Sequence, residues 1–543
     1  MLTPFYIQCC TNCLHCRSIK ISFLILSLIN YNQSFAQVQN NEPESDGIQL
    51  EELDIINSEY RETNLSITPN GELLYFMSDR GGQPWSVKSG KYKRKTHFDG
   101  DIWYCSKIKG KWQAPICLDS TINTCSGEDE PLISPDGQIV VFQSWKDDWK
   151  QTGGPYYVAE LSGDKWSNTV GLGGGINKFF IGKFNRSAIG YATDGAAISP
   201  DGNLFIVACG EDYDGSMDLY MSKKVNGRWG EMRKAKISTA GDERSVYIAG
   251  DGITFYFASD GYDGMGGLDI YKTTYEEGRF GPIQNIGKPF NSKEDEYGFI
   301  MDARGESAYF SREGNVYQAS LGDEQKHLRS FPVLLISGML KDAKGNPIED
   351  HLDLIDVGKK KVVATSKSNA LTGKYLFETP LKATSYRIKS NSRALVDTTF
   401  KVIDSGQFQE LNIDLIAEES DKEKKKFEKE EVVVVGARFE FDQVFISDSD
   451  KLQLSKIIEL INSTNDYHIE IIGHTDNKGS KEYNFQLGLK RAKEVMNYLV
   501  TYEANPRKIN IESKGEKLPI DSNQTEEGRS KNRRAEVRLK YNQ

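Results

Sequence analysis

The sequence predicts a multidomain, mainly β protein: a β-propeller of about five blades, a small β-sandwich and a C-terminal two-layer α/β domain. Three observations carry this expectation. A turn signature recurs five times between residues 49 and 321, it stops near Val333, and helical periodicity follows a charged run at 418–431. A chain of 543 residues exceeds what one core can organise, and 49 Gly with 26 Tyr and 25 Phe suit turn-rich β structure.

Residues 1–36 read as an export signal, with Arg17 and Lys20 ahead of the apolar run Ile21–Ile29 and a small-x-small site at Ser34-Phe35-Ala36. That run is too short to span a bilayer, and no other stretch reaches about 18 apolar residues. A soluble mature chain beginning near Gln37 is expected, and the lack of a lipobox-like Cys after the run argues against a lipid anchor. Cys9, Cys10, Cys13 and Cys16 precede the run, with no partner set at zinc-finger spacing. Cys105, Cys117, Cys125 and Cys209 remain in an oxidising compartment, where a disulfide and single buried thiols are equal readings. A formal net charge of −10 argues against a nucleic-acid binder, which needs a basic face.

The repeats span 49–325. Tight turns at Thr68–Gly71, Ser134–Gly137, Ser199–Gly202, Ala249–Gly252 and Asp302–Gly305 each precede an apolar strand, as at Leu73-Leu74-Tyr75-Phe76 and Ile139-Val140-Val141-Phe142. A second strand follows each, marked by Trp103, Tyr157, Tyr220, Tyr271 and Tyr317, and four units add a turn ending in Trp112, Trp166, Trp229 or Phe280. A single blade leaves a face uncovered, and radial stacking covers it. The fifth unit stops after Tyr317. Leu53–Ser58 echoes the unit ends at 121–123 and 290–292, so the N-terminal segment is expected to supply the missing outer strand and close the ring. These residues resemble the Tol-B-type, PD40-like propeller repeat.

Within the repeats no Gly-x-Ser-x-Gly elbow or His-Glu-x-x-His motif occurs, and His97, His327, His351, His468 and His474 are scattered along the chain. Asp212-x-Asp214 with Asp218, and Asp260–Asp263, lack the twelve-residue calcium-loop spacing and read as solvated turns. The insertion Gly81–Gly100, with Lys88, Lys91, Lys93, Arg94 and Lys95, reads as a basic solvated loop. Residues 333–417 change to short alternating strands around a turn at Asp342–Ile348, and resemble the carboxypeptidase-regulatory β-sandwich, which implies a spacer. Residues 418–431 are nearly all charged and mark a linker.

Residues 432–543 alternate strands and helices in the order β-α-β-α-β-β, with Leu454, Ile457, Ile458 and Ile461 on one helix face. Gly473-His474-Thr475-Asp476-x-x-Gly479, Tyr483-Asn484-x-x-Leu487, Arg491-Ala492 and Gly528-Arg529-x-x-Asn532-Arg533-Arg534 resemble, in order and spacing, the OmpA-type peptidoglycan-binding domain. Gly488 stands where that family usually has Ser, at a cost of about 1 kcal/mol for a helix-interior Gly. The resemblance implies a ligand, the diaminopimelate residue of the peptidoglycan stem, whose free end carries an ammonium and a carboxylate on one carbon. It implies Asp476 for the ammonium, Arg491 for the carboxylate, Asn484 on the same helix face, and Thr475 and Asp442 at the rim. Spacing alone leaves a second reading, in which Asp476 and Arg491 bond each other and only support the loop. Asn532, Arg533 and Arg534 stay open between structural and ligand roles, and His474 reads as a loop-shaping hydrogen-bonder. No cofactor or metal is expected.

The combined expectation is a non-enzymatic periplasmic wall anchor or scaffold at the outer membrane, with peptidoglycan and envelope proteins as partners and no nucleic acid. The domain order resembles cell-wall-anchoring components of Bacteroidetes envelope machines, including the type IX secretion apparatus, although such relatives often carry helical repeats that this chain lacks. The rival reading is a wall- or glycan-acting enzyme with a catalytic propeller, which requires paired carboxylates across a cleft. A purely structural outer-membrane tether is the third.

Overall fold

A computed structural model describes residues 47–541 apart from 93–94, 168, 188–190, 212–216, 226, 391–395, 418–429, 464–466, 503 and 505–507. The export signal, Asp212 and Asp214, Lys93 and Arg94, and most of the charged run therefore lie outside the described residues. No described helix is long and apolar enough to cross a membrane.

Among the described residues, five antiparallel sheets of four or five strands occupy residues 49–320, besides one two-stranded hairpin. Their first strands are Glu62–Ile67, Glu128–Ile133, Ala192–Ile198, Glu243–Ile248 and Glu296–Met301. Each first strand packs against the next, and the first meets the fifth, so the contacts close into a cycle. The five turn signatures fold as expected: Gly71, Gly137, Gly202, Gly252 and Gly305 each donate an N–H to the carbonyl three residues back, with φ between 66° and 70°.

A second device repeats with the turns, and sequence reading missed it. Glu62, Glu128, Glu243 and Glu296 open four of the five sheets, and each accepts the backbone N–H and the hydroxyl of a Ser or Thr four residues earlier. Ser78, Ser144 and Ser259 on the neighbouring strands donate to three of these carboxylates. All four carboxylates are buried, and burial raises their pKa values, Glu128 to about 7. The clasp joins the end of one unit to the start of the next.

The ring closes through the N-terminal segment, with a correction to which residues form the strand. Gln49–Glu52 pairs antiparallel with Tyr317–Ser320. Leu53–Ser58 is a turn whose Asn57 exchanges hydrogen bonds with Val316, as Asn123 does with Ile102 and Asn291 with Ile270. The echo between 53–58 and the unit ends thus records an equivalent Asn turn, while the strand lies just before it. The basic insertion is a β-hairpin, Lys88–Tyr92 against Lys95–Phe98, rather than a loop. Cys105, Cys117, Cys125 and Cys209 are free thiols, which removes the disulfide reading.

Residues 333–417 form two four-stranded sheets around one buried core that includes Leu334, Ile336, Leu354, Phe377 and Ile388. They sit on the second sheet through buried Lys367, whose ammonium lies 2.8 Å from Glu349 and 3.4 Å from Glu160 and donates to the Leu161 carbonyl at 2.9 Å. An ion in that position is stable only because every N–H finds an oxygen.

The C-terminal unit is a four-stranded sheet in the order Glu430–Arg438, Arg534–Tyr541, Tyr467–His474, Ile509–Gly515, the last two parallel. The first strand therefore begins inside the predicted linker. Helices α2 (Asp448–Ser463) and α3 (Lys481–Thr501) share one core with the sheet, and α4 (Glu526–Asn532) adds a turn of helix that periodicity did not reveal. A further helix, α1 (Gly174–Phe184), links the second and third sheets. Gly173 precedes α1 with φ 62°, and a Cβ there would stand 2.6 Å from the carbonyl of Val500 near the end of α3. Only glycine lets the two backbones approach this closely.

Candidate functional site

The loops at the ends of two strands and the first turns of α3 enclose a cavity of about 200 Å³. Asp442, Thr475, Asp476 and Arg491 line it, together with Phe441, Lys478, Tyr483 and Arg533. Four of the five sequence-predicted residues are thereby brought together. Asn484 is set apart: it is buried on α3, and its amide donates to Glu516 at 2.6 Å.

Asp476 follows the strand that ends at His474. Its Oδ1 accepts the Lys478 N–H at 3.0 Å, which fixes the turn, and its Oδ2 accepts from Arg533 Nη1 at 3.0 Å. Both partners of this ion pair are nearly inaccessible, at 4% and 3% side-chain exposure, and Glu526 holds the other end of Arg533 at 2.9 Å. Asp476 thus pairs with Arg533 and not with Arg491. Arg533 gives the sequence motif ending in Arg533-Arg534 a role beside the cavity. Arg534 instead pairs with Glu536, and Asn532 binds the 520–523 turn.

Arg491 is fully buried. Its Nε donates to the Gln443 carbonyl at 2.9 Å, Nη1 to His474 O at 3.0 Å and Nη2 to Glu440 O at 3.2 Å, while its plane lies 5.0 Å from the Phe439 ring centre. A guanidinium has five N–H donors. Three serve these carbonyls, so one on each Nη remains for a bidentate oxygen ligand. Burial lowers the Arg491 pKa to about 10, against the opposing pull of Asp476, and the group stays charged at neutral pH.

Thr475 donates to the Asp476 carbonyl at 2.9 Å and Asp442 accepts from the Tyr483 hydroxyl across the mouth. Asp442 itself has φ 58°, a left-handed conformation that turns its carboxylate towards α3. His474 corrects expectation: neither ring nitrogen has a hydrogen-bond partner, and only its backbone carbonyl shapes the loop. Burial, then Arg534, push its pKa down to about 4, so the ring is neutral at pH 7. Gly488 has a local reason. A Cβ there would meet Ser513 Oγ at 2.3 Å, and α3 lies so close to the sheet that a Cβ on Gly473 would meet the Gly488 carbonyl at 1.8 Å.

Among the described residues no three His, Cys, Asp or Glu side chains stand together as a metal site.

The OmpA family model matches residues 438–533, so the chain carries an OmpA family domain at its C-terminus. Outer membrane protein A of Bordetella avium is 35% identical over 101 residues, which are 19% of this chain and 52% of that protein. The peptidoglycan-associated lipoprotein of Pseudomonas putida is 38% identical over 74 residues, 14% of this chain and 45% of that one. The chain therefore spans about half the length of these curated relatives. Among solved structures, the peptidoglycan-associated lipoprotein from Burkholderia pseudomallei aligns with 19% of this chain and 87% of its own, at 30% identity and a TM-score of 0.19.

Proposed function

We propose that the protein is a non-enzymatic periplasmic anchor that holds the peptidoglycan stem peptide in the 200 Å³ cavity of its OmpA family domain. The observation that carries this reading is that one cavity is lined both by Asp476 and by an Arg491 guanidinium that keeps two N–H donors beyond its three backbone carbonyls. A diaminopimelate end offers an ammonium and a carboxylate on one carbon. Asp476 suits the first and the Arg491 fork the second, with Thr475 and Asp442 at the rim and Asn484 steadying the wall through Glu516. Relatives named peptidoglycan-associated and outer membrane proteins support the same assignment.

In this reading the five sheets are the blades of a propeller, residues 49–325, that offers its faces to envelope proteins. The closed cycle of first strands supports it. Residues 333–417 are a sandwich spacer, and the assembly fits a place in an envelope or secretion complex. The test is co-sedimentation of the full chain with purified sacculi, beside Asp476→Asn. Wild type should pellet, and the variant should stay in solution with an unchanged circular-dichroism spectrum. Equal pelleting of both would reject the ligand assignment.

A further inference from the structure

The cycle of five sheets surrounds the head of a larger cavity, about 820 Å³, whose walls continue down to Val362 and Thr365 of the sandwich and to Val500 and Ile509 of the C-terminal unit. Each first strand carries a bulge at this level. One residue in each bulge is left-handed: Asn64 at φ 52°, Glu130 at 53°, Gly195 at 96°, Ser245 at 49° and Gly298 at 67°. All five line the cavity. Three of them bear side chains, a conformation that costs about 1 kcal/mol or more each and persists where the surroundings impose it.

Those three side chains each present a buried oxygen without a hydrogen-bond partner: Asn64 Oδ1, Glu130 Oε1 and Ser245 Oγ. The residues are 7%, 2% and 4% exposed. Their other atoms are committed. Asn64 Nδ2 donates to Asp129 at 2.8 Å, and Glu130 Oε2 accepts from the Tyr156 hydroxyl at 2.5 Å. The glycines leave room between them. A Cβ on Gly195 would strike the Ser245 backbone at 2.4 Å, and one on Gly298 would approach the Asn64 backbone at 3.9 Å.

The charge here is also one-sided. Glu130 is buried and the adjacent Asp129 is partly buried, while the neighbouring guanidiniums form their ion pairs elsewhere, Arg61 with Asp79 and Arg244 with Asp194 and Asp242. Burial, with the neighbouring Asp129 adding to it, raises the Glu130 pKa to about 8, and burial raises that of Asp129 to about 6.

We propose that the head of this cavity binds a primary ammonium group, with Glu130 Oε1, Asn64 Oδ1 and Ser245 Oγ as its three acceptors. A primary ammonium has three N–H donors, no acceptor and one charge. Three unpaired oxygens, one of them a carboxylate, match that inventory. A small free amine and the lysine side chain of a partner segment present the same group. The site is separate from the wall-binding cavity and does not depend on it.

The test is isothermal titration of the full chain at pH 8 with n-butylammonium chloride and with the blocked peptide acetyl-Gly-Lys-Gly-amide, beside tetramethylammonium chloride and calcium chloride. Saturable binding of n-butylammonium, absent with tetramethylammonium, is expected. Binding of the peptide as well would identify a lysine segment as the source, and its failure a small amine. Glu130→Gln should weaken affinity about tenfold or more, and Ser245→Ala, which leaves charge and packing nearly intact, about threefold to tenfold. Equal response to tetramethylammonium, a response to calcium alone, or variants that bind like wild type would overturn the proposal.

Discussion

Arg491→Lys separates the structural duty of Arg491 from its charge. The native guanidinium ties together three loops by donating to the carbonyls of Gln443, His474 and Glu440 from a fully buried position. A lysine keeps the charge, but its single nitrogen cannot span three carbonyls that a planar fork serves from separate atoms. About two bonds are lost, and each leaves a buried carbonyl without a donor at about 1.5–2.5 kcal/mol. The expected loss is about 3–5 kcal/mol, or a fall in Tm of roughly 15 °C or more for a unit of this size. Calorimetry of the full chain can assign it, because all seven Trp residues lie between 85 and 229, outside the C-terminal unit. The variant should shift a calorimetric transition that Trp fluorescence does not follow. A shift below about 3 °C would refute the view of Arg491 as a three-way clip.

Two further expectations concern the other units. Glu378, on the sandwich, is buried against Gly250 and close to Asp251 and Asp302, and burial followed by these two charges pushes its pKa from 4.5 up to about 8. The folded state therefore prefers the protonated form, so this contribution is complete below about pH 4.5 and is lost as pH rises through about 8. Thermal melts between pH 5 and 9 should show wild type falling relative to Glu378→Gln, and parallel curves would exclude the effect. Deleting residues up to Glu52 removes the strand that pairs with Tyr317–Ser320, at a cost of about 2–4 kcal/mol in backbone hydrogen bonds, and bares a sheet edge. Size-exclusion chromatography should then show self-association, and a monomer as stable as the full chain would contradict the closure.

Much of the fold was legible because its signals are local. Pro and Gly preset the five turns, alternation marked the strands, and 3.6-residue periodicity marked α2 and α3. Asp476, Arg491, Thr475 and Asp442 were legible only through the resemblance of the C-terminal motifs to the OmpA-type domain, since spacing alone left Asp476 and Arg491 open to a purely structural pairing. Helix α1 escaped because Gly173-Gly174-Gly175 reads as a turn, and its stability comes from aromatic packing of Phe180 against Trp145 and Tyr156. The Glu clasps escaped because a lone Glu among 78 acidic residues carries no local mark.

By itself, then, the sequence determined the five repeated turns, the strands that follow them and the two long helices of the C-terminal unit. Tertiary structure alone decided the partners. Asp476 meets Arg533 across 57 residues, Asn484 turns to Glu516 instead of the cavity, and Asn64, Glu130 and Ser245 from three separate sheets face one space. Backbone conformation is set by neighbours a few residues away, whereas the pairing of buried charges and orphaned oxygens depends on strand register and on how the closed cycle of sheets brings distant bulges together.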